Sequence, residues 1–300
     1  MKRRVAISRG WAALEEDGAV VALRPAGADR SRVGEIWLGR VLALRPELPA
    51  ALVELGFERP AFLSAEDVAP KGGFQKLHQG QAVLVEIAKD ARADKAAGVT
   101  MRLTRAVTAP AVAALPLLVA GAPPAVASWL DPAPAEILLD DRAAFAELRH
   151  WLMAQRPELA GRLAFSTEPL YESFGIGAAL DEAREKRVAL SGGGSIQIEP
   201  TSLGVVIDVD AGRAASPLAA NLEASQAVAR QVRLRNLSGP MLVGFVGMKG
   251  KNDRGRVLAA LAKALKAAAP DCRVLGWTRL GHVELVRKRT APALAELASW

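Results

Sequence analysis

The stretch SGGGSIQIEPTSLGVVIDVDAG, residues 191–212, leads through NLEASQAVARQVRLRN (221–236) to GPMLVGFVGM (239–248). It reads as a glycine turn, a strand, a turn, and a second strand that carries two aspartates. A helix with a basic end follows, then a third strand that is almost wholly apolar. Side chains alternate faces along a strand, so Asp208 and Asp210, two apart, project to the same side. Neighbouring carboxylates repel unless a cation or a basic group compensates them. Two readings are open here: a divalent metal with oxygen ligands, or a solvated strand end.

Around this block, the chain of 300 residues is 51% hydrophobic. That is enough to bury a substantial core, in roughly two or three domains. Lysine and arginine number 39 against 32 acidic residues. The excess favours an acidic partner, nucleic acid first among them. The single cysteine, Cys272, forms no intramolecular disulfide and no CxxC zinc site. It suits a reducing compartment, and a cytoplasmic location is expected. His78, His150 and His282 lie far apart with no ligand spacing. The amino terminus MKRRVAISRGWAALEEDG lacks the apolar run of a signal peptide. Residues 106–130 carry no charge, but Pro110, Pro116, Pro123 and Pro124 interrupt them. Proline breaks helices, so a buried strand and a Pro-rich connector are expected rather than a membrane span.

An N-terminal β segment over 1–34 is expected to form a hairpin. Over 35–105, short runs such as EIWLGRVLAL, AALVELG, AFLS, AVLVEIAKD and GVTMRLTRAV are separated by Pro, Gly and Asp turns. They suggest a small antiparallel barrel of OB type. After the 106–130 connector, 131–190 alternates strand and helix, as in an α/β part. DDRAAFAELRHWLMAQRP (140–157) is a helix capped by Asp140 or Asp141, and IGAALDEAREKRVAL (176–190) is a second helix. Residues 191–300 continue with a helix over 253–268, two strands in CRVLGWTRLGHVELVRK (272–288), and a short helix in TAPALAELASW (290–300).

Basic residues gather about the opening block: Arg230, Arg233, Arg235, Lys249, Lys251, Arg254 and Arg256, with Asp253 the one acid between Arg230 and Arg256. Arg233 and Arg235 are expected beyond the helix end. The loop MKGKNDRGR offers mobile cations and amides to phosphates, or is simply a solvated loop. Gly192, Gly193 and Gly194 form a hairpin turn; the P-loop's downstream Gly-Lys-Ser/Thr is absent. In the expected barrel, Phe62 and Trp37 can stack bases, and Lys89, Arg92 and Lys95 can meet phosphates. Core packing is the favoured role for Trp37. No serine, cysteine or histidine arrangement suggests a covalent nucleophile.

These motifs resemble the ribonuclease E/G family. GEIWLGRVLALRPELPAALVELGFERPAFLSAEDV and LHQGQAVLVEIAKDARADKAAGVTMRLT are similar to its OB-fold RNA-binding module. The opening block resembles its DNase I-like catalytic subdomain. AEILLDDRAAF and LYESFGI resemble its RNase H-like subdomain, here shortened, and WTRLGHVELVRKR the segment that closes the catalytic region. The resemblance implies an α+β, multidomain protein that cuts single-stranded RNA with magnesium (Mg2+). Asp208 matches the first metal-binding aspartate. Asp210 stands where the family has asparagine. Gly244 stands where it has its second metal-binding aspartate, and Gly247 replaces a further aspartate. Phe62 and Lys95 match RNA-contacting positions, while Leu52 replaces an aromatic. The 5′-monophosphate-sensing Arg-Thr signature is not visible. The CPxC-type motif that links protomers through zinc is missing, which leaves a monomer or a dimer.

Two functions follow. One is an endoribonuclease with a rearranged site in which Asp210 joins Asp208 on magnesium. The other is an RNA-binding relative that does not cut.

Overall fold

A computed structural model of the chain describes residues 2–27, 31–45, 47–91, 95–108, 110, 114–289 and 291–297. They divide into two compact units, Met1–Arg30 with Ala125–Trp300, and Ser31–Pro124. In the first unit, β1 (Arg3–Ser8), β2 (Trp11–Glu16) and β3 (Ala19–Pro25) form an antiparallel meander. Its turns are the pairs Arg9–Gly10 and Asp17–Gly18, all four with positive φ. Two consecutive left-handed residues give the turn whose twist matches paired strands. Where a simple hairpin was expected over 1–34, a three-stranded meander stands.

The second unit holds β4 (Ile36–Arg45), β5 (Ala50–Glu54), β6 (Ala61–Ser64), β7 (Ala82–Lys89), β8 (Gly98–Thr100) and β9 (Leu117–Ala120). Strand β4 pairs with β7 through its first half and with β5 through its second, and β6 pairs with β8. The circuit β4–β5–β6–β8–β7 is thus a closed five-stranded barrel, consistent with the OB-like expectation, and β9 adds to β4. Gly39 lets β4 serve two neighbours. A Cβ there would come within 2.5 Å of Leu55 and 2.7 Å of the Glu54 carbonyl. Val41, Val53, Leu55, Leu63, Val85 and Ile87 fill the interior. Each fully buried side chain of this size stabilises by about 1.5–3 kcal/mol. The 106–130 segment therefore supplies β9, between Pro116 and Pro123, which adds to the barrel along β4.

The chain then returns to the first unit. Strand β10 (Glu136–Leu139) pairs in parallel with β1, and β11 (Leu163–Phe165) with β10. Between them runs α1 (Arg142–Gln155), whose cap is Asp141, accepting from the Ala144 amide at 2.7 Å. Asp140 instead accepts from the Ser8 hydroxyl at 2.6 Å and the Leu170 amide at 2.8 Å. The sheet order is β11–β10–β1–β2–β3. Segments 1–34 and 131–190, drawn apart in sequence, thus share one sheet.

Helices α2 (Leu170–Ser173) and α3 (Ile176–Arg184) follow. The latter stops well before residue 190, because β12 (Arg187–Ala189) pairs with β13 (Ser195–Pro200). Next come β14 (Val205–Asp210), α4 (Pro217–Leu234), β15 (Gly239–Gly244), α5 (Lys251–Ala268), β16 (Cys272–Trp277) and β17 (Val283–Arg287). These strands form a second sheet, β12–β13–β14–β15–β17–β16, with β14 and β15 parallel. Ser216 caps α4 by accepting from the Ala219 amide at 3.1 Å, and Pro217 opens it. The helix therefore starts before Asn221 and includes Arg233. One face of the sheet packs on α4 and α5 through Ile207, Val209, Met241, Val243, Val228 and Leu261. The expected C-terminal helix is a single 3₁₀ turn, Leu294–Glu296, and residues 290 and 298–300 lie outside the described ones. No helix among the described residues is long and apolar enough to cross a membrane.

Candidate active site

Strand β14 alternates buried and exposed residues. Val205, Ile207 and Val209 face the helices, while Val206, Asp208 and Asp210 face outward. The two aspartates share a face, as the spacing requires, but their surroundings differ. Asp210 accepts from the Arg187 guanidinium at 3.0 Å and from the Gly212 amide at 2.9 Å. Arg187 also donates to the Ser195 hydroxyl at 3.0 Å, which fixes it beside Asp210. Asp208 has no ion pair or hydrogen bond through its side chain among the described residues.

Asp208 lies in register with Gly244 on β15. A Cβ built on Gly244 would stand 3.0 Å from Asp208 Oδ1 and 3.5 Å from His282 Nδ1. The missing side chain leaves a small space flanked by a carboxylate and an imidazole. The sequence gives His282 no metal role, because the three histidines lie far apart and show no ligand spacing. The structure delivers it through the β16–β17 hairpin. There the Thr278 amide donates to the His282 carbonyl at 2.7 Å, and the His282 amide donates to the Thr278 hydroxyl at 3.1 Å. No local pattern marks this histidine; only the pairing of β15 with β17 does so.

Asn221 was missed as well. It is fully buried on α4, and its amide donates to the Val246 carbonyl at 2.8 Å while its carbonyl accepts from the Val246 amide at 2.9 Å. This two-way clamp fixes the loop that leaves β15. The available signal was a polar residue on the apolar face of a predicted helix.

Magnesium held by two carboxylates does not fit these residues. Gly244 offers no donor, and Asp210 is occupied by Arg187. Residues two apart on a strand are also about 6.6 Å apart along it, whereas oxygens on one magnesium are only about 3 Å apart. The described residues contain no group of three or more His, Cys, Asp or Glu able to hold a metal.

The basic residues separate into two sets. Arg233 grips Glu16 through both terminal nitrogens, at 2.7 and 2.8 Å. Arg235 is buried, donating to the Gln231 side chain at 2.5 Å and to the carbonyls of Glu185 and Glu182 at 2.7 and 3.3 Å. Burial pushes its guanidinium down to about 10, against the opposing pull of Glu182 and Glu185. The expected RNA contacts of Arg233 and Arg235 are thus replaced by internal ones, because acids distant in sequence fold against them. Lys249, Lys251 and Arg254 stay exposed about the start of α5, with Arg254 lying 5.6 Å over the Trp277 ring.

On the barrel, Phe62 is 38% exposed on β6, opposite Leu52 and Gly98. Its amide donates to the Ala97 carbonyl at 2.8 Å, which brings the exposed Lys95 segment alongside. Trp37 is half-buried, packed edge-on against Phe57 at 5.2 Å and donating to Glu35 at 2.9 Å. Lys89 is exposed. Arg92 lies outside the described residues.

Comparison with known proteins bears on this arrangement. The profile of the Ribonuclease E/G family matches residues 121–290. Ribonuclease G of Haemophilus influenzae is 33% identical over 168 residues, 53% of this chain and 34% of that protein. Ribonuclease G of Escherichia coli K12 is 26% identical over 369 aligned positions, 89% of this chain and 75% of that protein. Ribonuclease E of a Nostoc species is 40% identical over 160 residues, 50% of this chain and 23% of that protein. The matched parts thus span about a third of the Haemophilus protein and a quarter of the Nostoc protein. The profile covers more than half of the chain, including both aspartates, Gly244 and His282, and the chain belongs to the ribonuclease E/G family.

Proposed function

We propose that the chain is an endoribonuclease that binds single-stranded RNA through its barrel and cuts it at Asp208. The observation that carries this reading is the state of Asp208. It is an exposed, unpaired carboxylate at the C-terminal end of a parallel strand pair, beside open space over Gly244. Such strand ends are where sheets of this kind present ligand sites. Hydrolysis of a phosphodiester needs a water oriented and relieved of a proton, and an unpaired carboxylate accepts from such a water. Lys249, on the loop that leaves β15, and Lys251, at the start of α5, supply positive charge for the backbone phosphates. On the barrel, Phe62 offers a stacking face and Lys95 a phosphate contact.

The test is incubation of the purified chain with end-labelled single-stranded AU-rich RNA and magnesium or manganese, beside Asp208→Ala. Cleavage by the wild type that falls at least a hundredfold in the variant supports the reading. Equal cleavage by both sinks it. Phe62→Ala is expected to weaken RNA binding by about 1–3 kcal/mol, the contribution of one stacked base, as read by fluorescence anisotropy.

A second reading is an RNA-binding protein that does not cut. Gly244 and the Arg187–Asp210 pair favour it, since position 244 carries no carboxylate and Asp210 is engaged by an arginine. Salt-sensitive binding with no cleavage above the Asp208→Ala level distinguishes it.

A further inference from the structure

We propose that a cavity at one end of the barrel, where β5 and β7 end and β6 and β8 begin, is a pocket for a single guanine base. The proposal rests on the reading that the barrel binds single-stranded RNA, and deepens it by giving that surface a base preference. The cavity has a volume of about 220 Å3. Pockets for drug-sized ligands run to roughly 300–1,000 Å3, so this one admits one ring system and little more. Ile87 and Ala97, 1% and 4% exposed, give it an apolar base.

Its wall is aromatic and cationic. The Arg32 guanidinium lies 4.2 Å over the Phe57 ring, and Phe57 packs edge-on against Trp37 at 5.2 Å. Glu35 holds that guanidinium at 3.3 Å. Asp90 holds the backbone that carries it, accepting from the Arg32 amide at 2.8 Å and the Ser31 hydroxyl at 2.6 Å. One guanidinium face rests on Phe57, while 49% of the Arg32 side chain stays exposed. A base stacks on an arginine plane as it does on an aromatic ring. This plane is fixed in advance, so stacking on it costs little further ordering.

Two neighbouring side chains set the specificity. Gly56 turns the chain with a φ of 75°, its amide donating to the Glu54 carboxylate at 2.7 Å. The turn brings Glu58 and Arg59 side by side to the cavity. Both are exposed, and neither has an ion pair or side-chain hydrogen bond among the described residues. Guanine is the one RNA base with two adjacent donors along an edge, N1–H and the N2 amino group, and a carboxylate accepts from both. Along another edge it shows two acceptors, O6 and N7, the pattern that arginine reads bidentately. Adenine and cytosine set an acceptor beside their amino group, and uracil sets its one donor between two carbonyls. An acid beside an arginine at a small stacking pocket therefore selects guanine.

The test is titration of the full chain, without RNA or metal, with the 5′-monophosphates of guanosine, adenosine, cytidine and uridine. Calorimetry reads affinity, and saturation-transfer NMR reads contact with the base. The guanosine nucleotide is expected to bind about tenfold more tightly than the other three, the discrimination of one bidentate contact. Glu58→Gln is expected to remove that preference and leave adenosine monophosphate binding unchanged. Ala91→Trp, at an exposed position of the cavity lining, is expected to abolish binding of all four. Thermal melting shows that each variant is folded. No transfer to the guanine ring, equal affinity for the four nucleotides, or a preference that survives in Glu58→Gln would overturn the pocket. A parallel anisotropy titration with a uridine decamer keeps the two readings apart. Guanine preference without decamer binding leaves the pocket standing and removes the RNA-binding barrel. Decamer binding that falls in Phe62→Ala, with no guanine preference, does the reverse.

Discussion

Two basic groups flank the same strand, and they look alike in sequence. Arg230, Arg233 and Arg235 close α4, while Lys249, Lys251 and Arg254 open α5. In three dimensions the first group is turned inward. Arg230 holds Glu182 at 2.7 Å and the Val20 carbonyl at 3.3 Å, Arg233 holds Glu16, and Arg235 is buried among backbone carbonyls. Together they tie α4 to α3 and to the first sheet. The second group faces solvent, and Lys249 and Lys251 have no ion pair among the described residues. The lesson is about partners rather than charge. An arginine's role is set by whether an acid from elsewhere in the chain folds against it.

The comparison breaks most severely at Arg235. Arg235→Met strands Gln231 and two backbone carbonyls in a buried site, and is expected to destabilise the first unit by about 2–4 kcal/mol. Urea unfolding measures this, and RNA affinity of the folded protein should not change. Next is Arg233→Ala, expected to cost about 1–2 kcal/mol, since Glu16 keeps only Arg3 at 3.2 Å.

That pair also sets a pH dependence. The hydrogen bond from Arg233 holds the Glu16 carboxyl below its ordinary 4.5, overcoming its burial. At Glu182, burial raises the value, but hydrogen bonds and charge from Arg230 and Gln231 hold it below 4.5. Both folded-state values are depressed, so their stabilisation is present above about 4.5 and is lost as pH falls through the lower folded values. Arg233→Ala should flatten the acid limb of a stability–pH curve. A limb equally steep in the variant would show that Glu16 does not contribute.

The smallest effect on stability belongs to the outward group. The double change Lys249→Ala and Lys251→Ala should alter unfolding free energy by no more than about 0.5 kcal/mol. RNA affinity should fall, and the slope of log affinity against log salt should decrease by about 0.7 per lysine, as for contacts to single strands. An unchanged slope would remove this loop from the RNA path.

The strands were legible wherever the chain states them locally. The alternation in VVIDVD predicts which residues of β14 are buried, and the short apolar runs of 35–105 predict a barrel. The resemblance gave Asp208 its place in the site. Contacts that span the chain were not legible. Glu16 meets Arg233, and His282 meets the gap above Gly244, because strands distant in sequence became neighbours. The same holds for 1–25 and 136–165, whose parallel pairing of β1 with β10 no local pattern encodes. The extent of α3 was misread because EKRVAL reads as helix, whereas sheet pairing at Arg187–Ala189 prevails.

The connection between β3 and β10 has an architectural consequence. Strand β3 ends at Pro25 and the chain is back in the first unit at Ala125, where the Arg24 guanidinium bonds the Ala125 carbonyl at 3.1 Å and the Ser128 hydroxyl at 2.7 Å. One arginine thus staples the two edges of the insertion point. A polypeptide cassette whose ends close on one another can be exchanged, shortened or duplicated over generations while its host retains its strand order. The inserted barrel of such a protein is then free to diversify at a pace of its own.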